Sequence, residues 1–137
     1  MKRFMLMMLM VCASVLTYAQ TNVKADAVVK FKEIRHNFGK IKQGVPVTHD
    51  FEFTNVSGQP VIIETATASC GCTTPTWPQA PVMKEKAAII KAGFNAAAPG
   101  PFEKTVYVKV KGIDAPLELR IAGEVISAAD FDKLNKK

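Results

Sequence analysis

The chain has 137 residues, enough for one domain with an ordinary core. Its 18 basic residues against 12 acidic ones give a formal charge of +6, a mild excess. The basic residues are scattered and form no arginine-rich cluster interleaved with aromatics, so no nucleic-acid partner is expected.

Taken in order, the chain opens with Lys2 and Arg3, followed by an apolar run from Phe4 to Leu16. That run is shorter than the roughly 20 residues that cross a bilayer, so an uncleaved anchor fits poorly. Thr17-Tyr18-Ala19 has the small-x-small form of a cleavage site, and residues 1–19 read as an export signal. No membrane span is expected after its removal, and the location is periplasmic or extracellular. Cys12 follows Leu9-Met10-Val11, without the small residue that a lipid-modified cysteine requires before it. Removing Lys2 and Arg3 lowers the charge from +6 to +4. It also leaves Cys70 and Cys72 as an even pair in an oxidising compartment.

Residues 20–27 are polar and small, a flexible leader. Val28 to Ile34 reads as a strand. His36 to Gly44, with two glycines and an asparagine, reads mainly as a turn. Val45 to Thr54 alternates strictly: Val45, Val47, His49, Phe51 and Phe53 share the inward face. Asn55 to Pro60 carries turn chemistry, with Gly58 expected at positive φ. Val61 to Ala68 is the next strand. After the proline-rich stretch, Ala87 to Asn95 alternates again, and Pro99 and Pro101 exclude a helix at Ala96–Ala98. Phe102 to Lys111 places Val106, Val108 and Val110 inward. Leu117 to Ile126 is the last strand, and residues 127–137 form a polar tail, frayed or one short helix. The pattern predicts an all-β fold, an immunoglobulin-like antiparallel β-sandwich of about seven strands over residues 28–126. The Cys…Trp…Cys arrangement of antibody domains is missing.

The chemistry concentrates in Ser69-Cys70-Gly71-Cys72-Thr73 and its continuation to Pro81. Residues i and i+2 of an extended strand share a face with Cα atoms roughly 6.6–7 Å apart. A disulfide needs about 4.4–6.8 Å, and Gly71 can fold the backbone enough to supply it. So small a ring removes little chain entropy and adds little stability. Four readings compete: a structural loop, a thiol–disulfide redox site, a copper(I) or zinc site on two thiolates, and an intermolecular disulfide. Neither histidine is expected to complete a metal site. If the strands flanking Asn55–Gln59 form a hairpin, His49 comes level with Thr65, roughly 16 Å of strand from Cys70. His36 has no evident place. Trp77 either packs on the prolines or grips a peptide or sugar; burial of large apolar side chains favours packing. Tyr107 is the other candidate platform for a sugar. No carboxylate pair, Ser/His/Asp set or phosphate-binding glycine loop is present, so no enzyme and no cofactor is expected.

At these residues the chain resembles a bacterial domain-of-unknown-function family (DUF, numbered fifteen seventy-three). The likeness is carried by Asn37-Phe38-Gly39-Lys40-Ile41, the stretch from Gly44 to Ile63 with His49 and Phe51-x-Phe53-x-Asn55, the loop from Ser69 to Pro81, and Gly100 to Val110. The resemblance implies an exported Ig-like domain, distantly similar to Hydin and ASH domains, which serve binding and assembly rather than catalysis. The family commonly turns with Pro-Gly after the loop; Met83-Lys84-Glu85-Lys86 stands there in this chain. The expected function is a non-enzymatic binding or assembly module of the cell envelope, taking an unidentified protein or other envelope component. Its candidate binding loop comprises Ser69, Gly71, Thr73, Pro75, Trp77, Pro78 and Pro81. The alternative is a redox or soft-metal protein acting through Cys70 and Cys72.

Overall fold

A computed structural model describes residues 24–136; the expected export signal and Cys12 lie outside the described residues. A short 3-10 turn at Ala25–Ala27 closes the leader and buries Ala25. Eight strands follow: β1 (Val29–Phe31), β2 (Arg35–Lys42), β3 (Val47–Asn55), β4 (Ile63–Ala68), β5 (Thr73–Thr76), β6 (Ala87–Phe94), β7 (Gly100–Val110) and β8 (Leu117–Ile126). Helix α1 (Ala128–Leu134) ends the described chain, capped by the Ser127 hydroxyl, which accepts from the Asp130 amide. The strands form two four-stranded sheets, β1-β3-β6-β5 and β2-β8-β7-β4.

The period-two pattern sets which side chains fill the space between the sheets. Phe51 and Phe53 of β3, Ile90 and Ala92 of β6, Val106 and Val108 of β7, and Leu119 and Ile121 of β8 are all fully buried. Each large apolar side chain contributes on the order of 1.5–3 kcal/mol by leaving water. Val45 falls outside β3 and is 49% exposed, because the chain is still turning out of Gly44 at φ +77°.

Three expectations are corrected. His36 to Gly44 is mostly strand: β2 runs through Gly39, which absorbs a register shift against β8 at φ +67°. Its pairing with β8 is parallel, the one departure from antiparallel order among the paired strands. β3 and β4 do not form a hairpin. They lie in different sheets, so His49 faces Ala92 and Thr65 faces Lys109. Gly58 is not at positive φ; the turn is shaped instead by Asn55, whose Oδ1 accepts from the Ser57 amide at 2.9 Å and hydroxyl at 2.7 Å. Among the described residues no helix is long and apolar enough to cross a membrane.

Candidate functional site

The Cys-Gly-Cys turn carries the chain from β4, at the edge of one sheet, to β5, at the edge of the other. Its entry is clamped by two hydrogen bonds. The Ser69 amide donates to the Thr105 carbonyl at 2.9 Å, and the Thr105 amide donates back to Ser69 Oγ at 3.1 Å. Cys70 and Cys72 are joined by a disulfide with their Cα atoms 5.4 Å apart, closer than an extended strand allows. The contraction comes from a turn in which the Thr73 amide donates to the Cys70 carbonyl at 3.3 Å. Gly71 takes part without entering the positive-φ region, and a Cβ added there would meet nothing within 4 Å. In the bridged state neither sulfur is a thiolate able to ligate a soft metal.

β5 then pairs with β6, Thr73 opposite Phe94 and Pro75 opposite Ala92. Thr73 is 3% exposed, and Cys72 and Trp77 pack against the core. Trp77 and Pro78 are half-buried, so part of the indole surface is spent on packing. Tyr107 is exposed on β7 in the other sheet, so the two candidate platforms belong to different sheets. The outward positions are Gly71, Thr74, Thr76 and Gln79 to Pro81. The loop's exit is held as firmly as its entry: Val61 and Val82 exchange both main-chain hydrogen bonds, at 2.9 and 2.7 Å. A shallow depression of about 210 Å³ beside the disulfide is lined by Cys72, Phe94, Phe102 and Lys104, among others.

A second cluster lies across the sandwich. β1 covers β3 only from Phe53 to Asn55, and the Lys32 amide makes one more bond to the Glu52 carbonyl. The chain then switches sheets into β2, bringing Glu33 and His36 against His49. His49 Nε2 lies 2.6 Å from Glu33 Oε1. The rings of His36 and His49 stack at 3.6 Å with 6° between their planes. Phe38 meets His36 edge-on at 4.7 Å, and Phe51 meets His49 at 4.8 Å. Burial lowers the proton affinity of His36 below the ordinary histidine value, the charge of a protonated His49 lowers it further, and Glu33 opposes both.

Sequence reasoning missed this meeting because it depends on which sheet each strand joins. No local spacing links residues 33, 36 and 49. What separates the histidines from the cysteines is not the strand length expected from a hairpin. His36 lies on edge strand β2 and Cys70 just beyond the opposite edge strand β4 of the same sheet, three strand spacings or roughly 14 Å apart, and His49 lies on the inner strand β3 of the other sheet.

The model of the protein family described as "Protein of unknown function (DUF1573)" matches residues 29–125. The chain belongs to that family. No curated protein matches it in sequence. Solved structures share its fold at low identity. The ASH/PapD-like domain 7 of human CEP192 matches with a TM-score of 0.65 at 12% identity, over 84% of this chain and 97% of that one. A protein of unknown function from Porphyromonas gingivalis W83 matches with a TM-score of 0.61 at 9% identity, over 72% of this chain and 46% of that one. The YadV chaperone matches with a TM-score of 0.51 at 12% identity, over 72% of this chain and 52% of that one. The chain thus spans about half the length of the latter two proteins. These likenesses establish the Ig-like, PapD-like fold of the DUF1573 domain.

Proposed function

We propose that this DUF1573 domain is an exported, non-enzymatic binding or assembly module of the cell envelope, and that it presents the Cys70–Pro81 loop to a protein partner. One observation carries the reading. The loop is pinned at entry by Ser69 and Thr105 and at exit by Val61 and Val82, while Gly71, Thr74, Thr76, Gln79, Ala80 and Pro81 face outward. A surface segment held in one conformation loses little entropy on binding. The short disulfide ring adds rigidity where the chain crosses between sheets. The PapD-like fold, shared with a protein named as a chaperone, supports a binding role by analogy of fold.

A photo-crosslinking residue at Gln79, compared with one at the exposed Lys133 of α1, beside the opposite edge strand β2, tests the proposal in cells that export the chain. A discrete adduct with an envelope protein from Gln79 and none from Lys133 is expected. Equal or absent labelling from both positions overturns it. The intact mass of the exported protein tests the export step: a chain starting at Gln20 is expected, and a chain retaining residues 1–19 overturns it.

A further inference from the structure

The Glu33–His36–His49 cluster takes no part in the loop-binding reading. We infer that it is a binding site for one divalent transition ion of borderline softness, with Zn2+ as the reference ion, held by a ring nitrogen of each histidine and a carboxylate oxygen of Glu33.

The geometry is close to what such an ion requires. One ligand atom from each of the three residues lies within 4.8 Å of the other two. Zinc bonds of about 2.0–2.2 Å in a tetrahedral arrangement place neighbouring ligand atoms roughly 3.3–3.5 Å apart. Movements of about an ångström at the side-chain ends close the site, leaving β2 and β3 in place. The stacked rings have nearly parallel planes, so one ring must rotate for both lone pairs to converge. The terminal ring torsion of histidine is broad and permits this. His36 is the ring free to turn, since its nitrogens make no hydrogen bond among the described residues, whereas His49 is held by Glu33.

The chemistry of the set agrees. Two imidazoles and one carboxylate suit zinc and its first-row neighbours, and they leave a fourth position for water or a partner's ligand. Nearby cations do not compete for Glu33. Lys32 is paired with Glu52 at 2.7 Å and Arg35 with Glu103 at 3.3 Å, while the only ionic partner of Glu33 among the described residues is His49. Phe38 and Phe51 give the rings an apolar flank, which strengthens ion–ligand attraction by excluding water. The ligands come from both sheets, His49 from β3 and His36 from β2, so a bound ion would clip the sandwich shut along its open edge.

The test uses the exported full-length mature protein, stripped with chelator, its disulfide verified by mass. Calorimetric titration with Zn2+ should show one equivalent bound and a raised melting temperature, and Mg2+ should do neither. Both imidazole rings should shift in NMR spectra of the wild-type protein as Zn2+ is added. His36→Gln and His49→Gln, each checked for retained fold, should weaken binding at least about tenfold. Three outcomes overturn the inference: no Zn2+ binding up to about millimolar ion, imidazole signals that stay put, or affinity unchanged in both folded variants. Loss of binding in Cys70→Ser/Cys72→Ser with both histidine variants intact also overturns it, moving the metal to the disulfide loop. None of these results bears on crosslinking from Gln79.

Discussion

Asn55 donates from Nδ2 to the main-chain carbonyl of Val82 at 2.8 Å, tying the end of β3 to the residue where the candidate loop re-enters the fold. The same amide donates to the Gln59 carbonyl at 2.8 Å, and its oxygen accepts from Ser57 twice. Its main chain pairs with the turn that follows the loop, accepting from Glu85 and donating to Lys86. One wholly buried polar side chain therefore holds the β3–β4 turn and the loop exit together.

Asn55→Ala removes four hydrogen bonds: one of the two donors to each of the Val82 and Gln59 carbonyls, which keep the Val61 amide and the Ser57 hydroxyl, and the oxygen that accepts twice from Ser57. Each net hydrogen bond is worth about 0.5–1.5 kcal/mol, so a loss of roughly 2–4 kcal/mol is expected. Urea unfolding monitored by Trp77 fluorescence measures it. A loss under about 1 kcal/mol would mean that water replaces the amide and that the staple is not what holds the exit.

At the loop entry, two neighbouring substitutions should behave oppositely. Ser69→Ala removes the acceptor of the Thr105 amide and should cost about 1 kcal/mol. Gly71→Ala should be nearly neutral, within about 0.5 kcal/mol, because its φ is ordinary and an added Cβ meets open space. Intact mass should show the Cys70–Cys72 bridge fully formed in Gly71→Ala. Free thiols in that variant would show that the small ring needs glycine after all.

These contrasts mark what local pattern encodes. Alternation identified the buried Phe51, Phe53, Val106 and Val108 because a strand's two faces repeat every second residue whatever its partner. The Ig-like sandwich followed from strand spacing. Pairing partners did not, since they depend on contacts distant in sequence: β2 lies parallel to β8, Arg35 opposite Arg120. Gly39 and Gly44 look locally like turn residues, so the local pattern gives His36 no strand to sit on. The short Asn55–Pro60 turn suggests a hairpin, which gives His49 the wrong neighbour, since β3 and β4 lie in different sheets. The loop was legible through its unusual residues, but that Thr73–Thr76 is an edge strand is a fact about β6 beside it.

Glu85 offers a test of the turn that follows the candidate loop. It sits at φ +61°, a conformation that costs a side-chain-bearing residue about 1–2 kcal/mol. Glu85→Gly relieves that strain and adds some unfolded-state entropy against it, so a net gain of roughly 0.5–1 kcal/mol is expected. Thermal melts of the two proteins decide it. A loss of stability would show that the Glu85 side chain does something that its backbone conformation conceals.

The C-terminal helix should respond to acid before the sandwich does. Asp130 has its carboxyl held below the ordinary carboxylate value, first by the Ser127 hydroxyl, which donates to Oδ2 at 2.7 Å, then by the charge of Lys133. A carboxylate with lowered proton affinity in the helix takes up its proton more readily in the frayed state. Its contribution to α1 is thus complete above the ordinary aspartate range and is lost as pH falls through that range to the depressed folded value. Amide NMR signals of Ala128 to Phe131 followed from about pH 6 to about pH 2 should show α1 fraying while β3 and β7 amides remain in place. Asp130→Asn should flatten the Asp130-linked part of that response, because the amide keeps a hydrogen-bond acceptor for Ser127 but carries no proton to titrate. Helix and strand signals disappearing together in the wild-type protein would instead place α1 in the same cooperative unit as the sandwich, coupled through the Lys42–Asp132 contact at 3.1 Å.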